Sequence, residues 1–358
     1  LSDDLERWIA AAVESIRGKP DYAFNLIGIA EIVAAKEHKL RAYKLARDAM
    51  ALADGDPLTT AVARRLLASL LPGYHVGMMN DARRNEAWDK ALRRAIEPGM
   101  LVLEIGTGAG MLALMAARAG AQVVTCEFHG VAAQMAREIA ARNGYADKIK
   151  VVTKRSQQLV MGHDLERPAD LLISDIFADS LLDFDPLPAL SDARRRLMAP
   201  GAPTIPAAGS LFLAPANWKE FARLGHIDAA AGFDLKPFAG FVPTVHTLRI
   251  DNPSLQLMAQ PREAFRFDFS APTHPQSARK EFAFEAETDG EVNAVMRWIK
   301  LELDDETVLE ARPEAGAIFF SGCVAAPLEA ALQVRAGDSL RVGASYNGAG
   351  VETWLAES

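Results

Sequence analysis

Cysteine is scarce in this chain of 358 residues: Cys126 and Cys323 are the only two, far apart and each set in apolar sequence. That excludes a disulfide framework and predicts two buried thiols. The seven histidines show no ligand spacing such as H-x-x-x-H, so no metal site is expected. Long apolar runs are missing too. None approaches the roughly 20 residues that cross a bilayer, and the acidic start at Asp3, Asp4 and Glu6 has the wrong sign for a signal peptide. Cytoplasmic residence with no membrane partner is therefore expected. Basic residues are outnumbered, 39 Lys and Arg against 47 Asp and Glu, for a formal charge of −8. Without a clustered basic excess no nucleic-acid partner is expected, whereas an acidic surface favours encounter with basic ligands. Half of the residues are hydrophobic, enough for a large core and two or three domains.

What the chain does have is the run Leu101-Val102-Leu103-Glu104-Ile105-Gly106-Thr107-Gly108-Ala109-Gly110. Met100 to Ile105 is short, apolar and closed by glycines, which predicts a buried parallel strand. Gly106, Gly108 and Gly110 permit a tight turn and a close backbone approach that side chains would block. Met111 to Ala119 follows as an Ala/Leu-rich helix and Gln122 to Glu127 as the next strand. The stretch thus opens an α/β sheet of βαβ type, whose ligands lie at this turn. The dinucleotide fingerprint G-x-G-x-x-G would need a glycine at Met111.

An E-x-G-x-G-x-G turn with a carboxylate at the end of the next strand resembles class I methyltransferases. The resemblance implies S-adenosyl-L-methionine as cofactor, with S-adenosyl-L-homocysteine as product. Glu104, Gly106, Gly108 and Gly110 would then face the methionine portion, and Glu127 would take both ribose hydroxyls. A carboxylate suits that task because it only accepts, and can accept two donors at once. A glycine turn that merely packs a helix on a sheet is the structural alternative.

Residues 1–72 show helical periodicity without strand signals, in Leu5, Trp8, Ile9 and Val13, then Leu26, Ile29, Ile32 and Val33, then Tyr43, Ala46 and Ala49. Ala42 to Leu71 looks like one tetratricopeptide-type hairpin; a helical prefix packed on the next domain is the alternative. Residues 73–205 carry the α/β pattern, with strands at Leu101–Ile105, Val123–Glu127, Ile149–Val152 and Leu171–Asp175. From 206 to 358 many short strands with turn signals predict an all-β domain, sandwich or barrel. The fold class expected is α/β plus β.

A Rossmann-like cofactor domain followed by a β-barrel resembles the protein arginine methyltransferases, from about Tyr74 onward. Local support comes from Tyr74-His75-Val76-Gly77-Met78-Met79-Asn80-Asp81-Ala82-Arg83-Arg84-Asn85, similar to the family's helix ahead of the glycine turn. By that match Arg84 holds the cofactor carboxylate, through a planar fork suited to it, and Met78 or Met79 lies near the methyl group. On residues alone, Arg83 and Arg84 could equally be a solvated helix face. Lys154-Arg155-Ser156-Gln157-Gln158 occupies the place of the family's adenine loop, which implicates Ser156 and Gln157.

The catalytic hairpin departs from the family. Its first glutamate matches Asp175 and its second falls at Phe184, flanked by Asp183 and Asp185. The resemblance makes Asp175, Asp183 and Asp185 the candidates for gripping a substrate guanidinium, with an acidic solvated loop as the alternative. The family's Thr-His-Trp loop is absent from the corresponding run Glu314 to Phe320. The implied activity is methyl transfer to a guanidino nitrogen of a protein, a peptide or free arginine. A different nucleophile, or a non-catalytic scaffold that keeps the fold, are the competing readings. The resemblance also implies a homodimer built by a helical arm at 215–238, where Trp218, Phe221, Leu224 and Ile227 recur at helical spacing.

Overall fold

The computed structural model describes residues 3–183, 185–313, 322–348 and 350–356. Phe184 and the run 314–320, on which two of the comparisons above fall, lie outside them. Four helices come first: α1 (Asp3–Ile16), α2 (Tyr22–Ala35), α3 (Lys39–Leu52) and α4 (Pro57–Ser69). Asp56 caps α4 by accepting the Thr59 N–H at 2.8 Å, and Pro57 fills the first helical position. The four share their own core, including Ile9, Ile27, Val33, Tyr43 and Leu66. α2 packs against both α3 and α4. The predicted hairpin over 42–71 is thus α3 and α4 within a larger helical cluster.

Two further helices, α5 (Tyr74–Asn80) and α6 (Ala82–Ala95), lead into a parallel sheet. Its strands are β1 (Leu101–Ile105), β2 (Gln122–Cys126), β3 (Ile149–Val152), β4 (Leu171–Ser174) and β5 (Thr204–Ile205), in the order β3-β2-β1-β4-β5. α7 (Met111–Ala119) and α8 (Gly130–Arg142) follow β1 and β2, and α9 (Pro186–Leu197) follows β4. β1 and β4 are buried almost throughout, which is why they read as apolar runs rather than alternating strands. The helical cluster docks here: Val131 of α8 enters its core, and the Tyr43 hydroxyl donates to Glu138 at 3.0 Å.

The rest is antiparallel: β6 (Ala208–Trp218), β7 (Ala229–Ala230), β8 (Phe233–Asp234), β9 (His246–Arg249), β10 (Leu255–Leu257), β11 (Arg262–Asp268), β12 (Ala278–Glu285), β13 (Gly290–Glu302), β14 (Val308–Glu310), β15 (Gly322–Val334), β16 (Ser339–Tyr346) and β17 (Val351–Leu355). Among the described residues the ladders do not close into one barrel. β10-β6-β13-β15-β9 form one sheet, extended by β11 on β6 and β14 on β13, and β12-β16-β17 form another. The two sheets face each other across Phe265, Phe267, Val295, Ile299, Val342 and Tyr346. That core continues into the parallel domain, where Phe177 stacks on Phe269 at 4.7 Å.

The predicted helical arm is not there. Pro215 to Trp218 complete β6, with Trp218 fully buried; beyond it only the four-residue helix α10 (Phe221–Leu224) and the start of a 3₁₀ turn (Lys236–Phe241) are helical. β6 is buried on both faces, so its side chains show no period of two, and Trp218 and Phe221 fell by chance on a helical spacing.

Candidate active site

The strand order reverses at β1, with β2 on one side and β4 on the other. The loops leaving β1 and β4 therefore diverge and open a crevice at the carboxyl edge of the sheet. The glycine turn leaves β1 there, and Asp175 is the first residue beyond β4. Gly106, Gly108 and Gly110 have φ of +86°, +51° and +84°, a backbone region that strains side chains. A Cβ on Gly106 would collide with Ile176, and one on Gly108 would sit 3.5 Å from the His75 ring. The turn is thus a cradle of bare backbone under α5.

Glu127 follows β2 and is buried. Its two oxygens accept the N–H groups of Gly108 at 3.1 Å and His129 at 2.8 Å. Those bonds fix the carboxylate beside the cradle and leave each oxygen a lone pair for another donor. Glu104 lies 1% exposed, with no well-formed hydrogen bond to either carboxyl oxygen and with the Thr125 hydroxyl and the Ala113 N–H as its polar neighbours. Burial foremost, with the charges of Glu127 and Asp175, outweighs a Thr125 hydrogen bond and pushes its carboxyl up to about 8, which favours the protonated acid at pH 7. A bare cradle and a fixed acceptor pair fit the methionine and ribose ends of an S-adenosyl group.

Arg84 and Asp175, assigned by resemblance to different ligands, form one ion pair. The Nε of Arg84 donates to Asp175 Oδ2 at 3.1 Å and Nη2 reaches the same oxygen, while Nη1 donates to Asn85 at 2.9 Å. Asp81 caps α6 through the Arg84 N–H at 2.9 Å and so sets where the guanidinium emerges. Arg84 is buried and Arg83 exposed, which removes the solvated-face reading for Arg84. Met78 and Met79 are half-buried on α5. Ser156 is buried and Gln157 exposed in the short 3₁₀ turn after β3.

The acidic loop splits. Asp175 enters the crevice, whereas Asp183 and Asp185 are exposed, Asp185 at φ +52° ahead of α9. Asp179, half-buried, accepts the Gly322 N–H at 3.2 Å and ties the loop to β15; burial holds its carboxyl above the usual range. Sequence reading assigned no role to two neighbours of the crevice. His75 lies against Gly108, its imidazole pulled down by burial against the opposing charge of Glu127. Phe128 is exposed beside Glu127 with the Arg155 guanidinium 4.5 Å above its ring. An aromatic residue directly after the strand-end acid was the available signal for it. Both thiols are buried and pushed up to about 12 by that burial, as inert core groups.

Comparison with known proteins agrees with this geometry. Residues 89–196 match the family model of ribosomal protein L11 methyltransferase (PrmA). An arginine N(omega)-methyltransferase of Streptomyces achromogenes subsp. streptozoticus is 32% identical over 303 residues, 83% of each chain. Protein arginine N-methyltransferase 7 of Oryza sativa subsp. indica is 32% identical over 69% of this chain, which spans only 36% of that relative. Among solved structures, the Trypanosoma brucei PRMT1 enzyme-prozyme heterotetrameric complex with AdoHcy superposes with a TM-score of 0.70 at 22% identity. It covers 80% of this chain and 93% of its own, and shows the shared fold. Through the 32% identity that spans 83% of this chain and 83% of the Streptomyces relative, joined to the glycine cradle and Glu127, this chain belongs to the arginine N-methyltransferases, a family of S-adenosylmethionine-dependent enzymes.

Proposed function

We propose that the chain methylates a guanidino nitrogen of arginine, in a protein, a peptide or the free amino acid. The observation that carries this reading is Asp175, a largely buried carboxylate at the crevice that already engages a guanidinium, that of Arg84, from the side. Arginine stays protonated in water, so a carboxylate must orient its fork and draw the charge away from the attacking nitrogen. Bound there, the donor would supply an electrophilic sulfonium methyl, so that an N–C bond could form as the S–C bond broke, with a neutral thioether as leaving group and a proton released from the nitrogen. Little acid or base catalysis is needed, and fixed position and charge provide most of the rate.

In this reading Glu127 takes the ribose hydroxyls, and Arg84 directs its remaining N–H groups at the donor carboxylate. Glu104 and the cradle line the methionine end, Met78 and Met79 the methyl group, and Ser156 and Gln157 the adenine. Asp183 and Asp185 add negative charge at the loop rim. We further read the chain as cytoplasmic and homodimeric, with α3 and α4 as a tetratricopeptide-like hairpin and domain limits near 72 and 205. The separate core of the helical cluster supports the first of those limits. No helix of the described residues is long and apolar enough to cross a membrane.

Asp175→Asn tests the central assignment. Turnover should fall on the order of a hundredfold, the cost of a misplaced or weakened grip on the nucleophile, while calorimetry finds donor affinity nearly preserved. Loss of donor binding together with turnover would reassign Asp175 to the cofactor.

A further inference from the structure

The helical cluster meets the parallel domain along α3 and α8, and the two do not close on each other completely. Gly130 at the start of α8 packs so near α3 that an added Cβ would lie 3.4 Å from Leu40, and further along the Tyr43 hydroxyl bonds Glu138. Beside these contacts a cavity of about 560 Å³ stays open, walled by residues 37–41 and Lys44 on the cluster and by residues 128–131 on the parallel domain. That volume lies within the range of small-molecule sites. Methyl transfer leaves it unused: the glycine cradle, Glu127, Asp175 and the 156–158 turn form none of its walls.

The charge of this cavity runs against that of the chain. The formal charge is −8, yet His38, Lys39, Arg41, Lys44 and His129 line the walls against the single acid Glu37. Arg41 is already paired, its Nε donating to Glu6 at 3.1 Å. Lys39 meets Glu37 only at 3.7 Å, with that carboxylate largely exposed, and Lys44 is exposed and stands in no ion pair among the described residues. Two ammonium groups on one cavity wall are thus left without a close carboxylate. An ammonium is a compact point charge suited to phosphate oxygens. A phosphoryl group carries about −1.5 to −2 charges near pH 7 and matches two lysines, where one carboxylate matches one. Nucleic acid would need a wider basic surface. The Phe128 ring, 62% exposed, closes another side with an apolar face. We propose that this cavity binds the phosphate of a small molecule, at a site separate from the donor crevice. One loop joins the two, because His129 lines the cavity while its N–H donates to Glu127 at 2.8 Å. Both sites are therefore filled side by side, whichever nucleophile the chain methylates.

The test is calorimetry on the unmodified full chain, titrated with inorganic pyrophosphate alone and again with S-adenosylhomocysteine present. Pyrophosphate should bind in both cases. Lys39→Gln combined with Lys44→Gln should weaken it about tenfold or more, the cost of lost hydrogen bonds to charged groups, while S-adenosylhomocysteine affinity, which also reports an intact fold, stays unchanged. Pyrophosphate displaced by S-adenosylhomocysteine would put the anion in the donor crevice and overturn the inference. Absence of binding at millimolar pyrophosphate would overturn it as well, as would affinity that the double variant leaves intact, the mark of an adventitious ion only. A phosphoserine peptide bound more tightly than pyrophosphate would overturn the small-molecule assignment. None of these outcomes depends on where the methyl group goes, so the arginine reading stands or falls separately.

Discussion

Glu104 is a carboxyl placed where charge is disfavoured, and that has a measurable consequence. Its ordinary value of 4.5 rises to about 8 in the fold. Between those limits the unfolded chain releases a proton that the folded chain keeps, so this group's contribution is fully present below the lower limit and is lost as pH rises through the window. Glu104→Gln cannot ionise. Its melting temperature should be close to that of the unmodified chain near about pH 5 and above it near about pH 8. A gap that stays constant across that range contradicts the buried, neutral acid. Glu127 makes a second residue-scale test. Glu127→Ala should weaken S-adenosylmethionine binding by roughly 1.5–3 kcal/mol, the range for hydrogen bonds to a charged group, with the fold retained; unchanged affinity in calorimetry would remove Glu127 from the site. The placement of both residues at the turn was legible in the sequence because the strand, turn and strand-end acid are local. The Arg84–Asp175 pair was not. Its partners are 91 residues apart, and no local pattern says that two separately assigned side chains share one bond.

Elements were read best where the chain alternates between clear types. β1 and α7 fall on the predicted residues, since a buried apolar run, a glycine stop and an Ala/Leu-rich helix leave no competing period. β6 was misread past its middle because burial on both faces erased its alternation. The correction changes the dimer hypothesis as well. Trp218 is core, so replacing it with a charge would unfold the sheet rather than separate subunits. The apolar surface lies further on, where Phe233, Phe238 and Phe241 are 70%, 57% and 76% exposed around β8 and the 3₁₀ turn after it. An exposed cluster of this size needs cover, and a second copy provides the simplest closed arrangement. Light scattering at micromolar concentration should give twice the 38.7 kDa chain mass, and Phe238→Glu combined with Phe241→Glu should return the single mass. A monomeric unmodified chain would contradict it.

At the scale of the molecule, the parallel sheet supplies the crevice and the antiparallel sheets close over its acidic loop. Asp179 bonds that loop to β15, Phe177 stacks on Phe269, and Arg94 of α6 donates to Asp304 at 3.0 Å. None of these long-range ties was visible in composition or periodicity, which described two kinds of domain but not how they meet. Their effect is to hold Asp175 near the glycine cradle, where on the proposed reading donor and guanidinium meet in line. The most direct measurement of that meeting is tandem mass spectrometry after incubation with isotopically labelled S-adenosylmethionine and arginine, free and in peptides. The labelled methyl group should be found on a guanidino nitrogen. Label on any other atom, or bound donor with no label transferred to a guanidino nitrogen, would contradict arginine methylation by this chain.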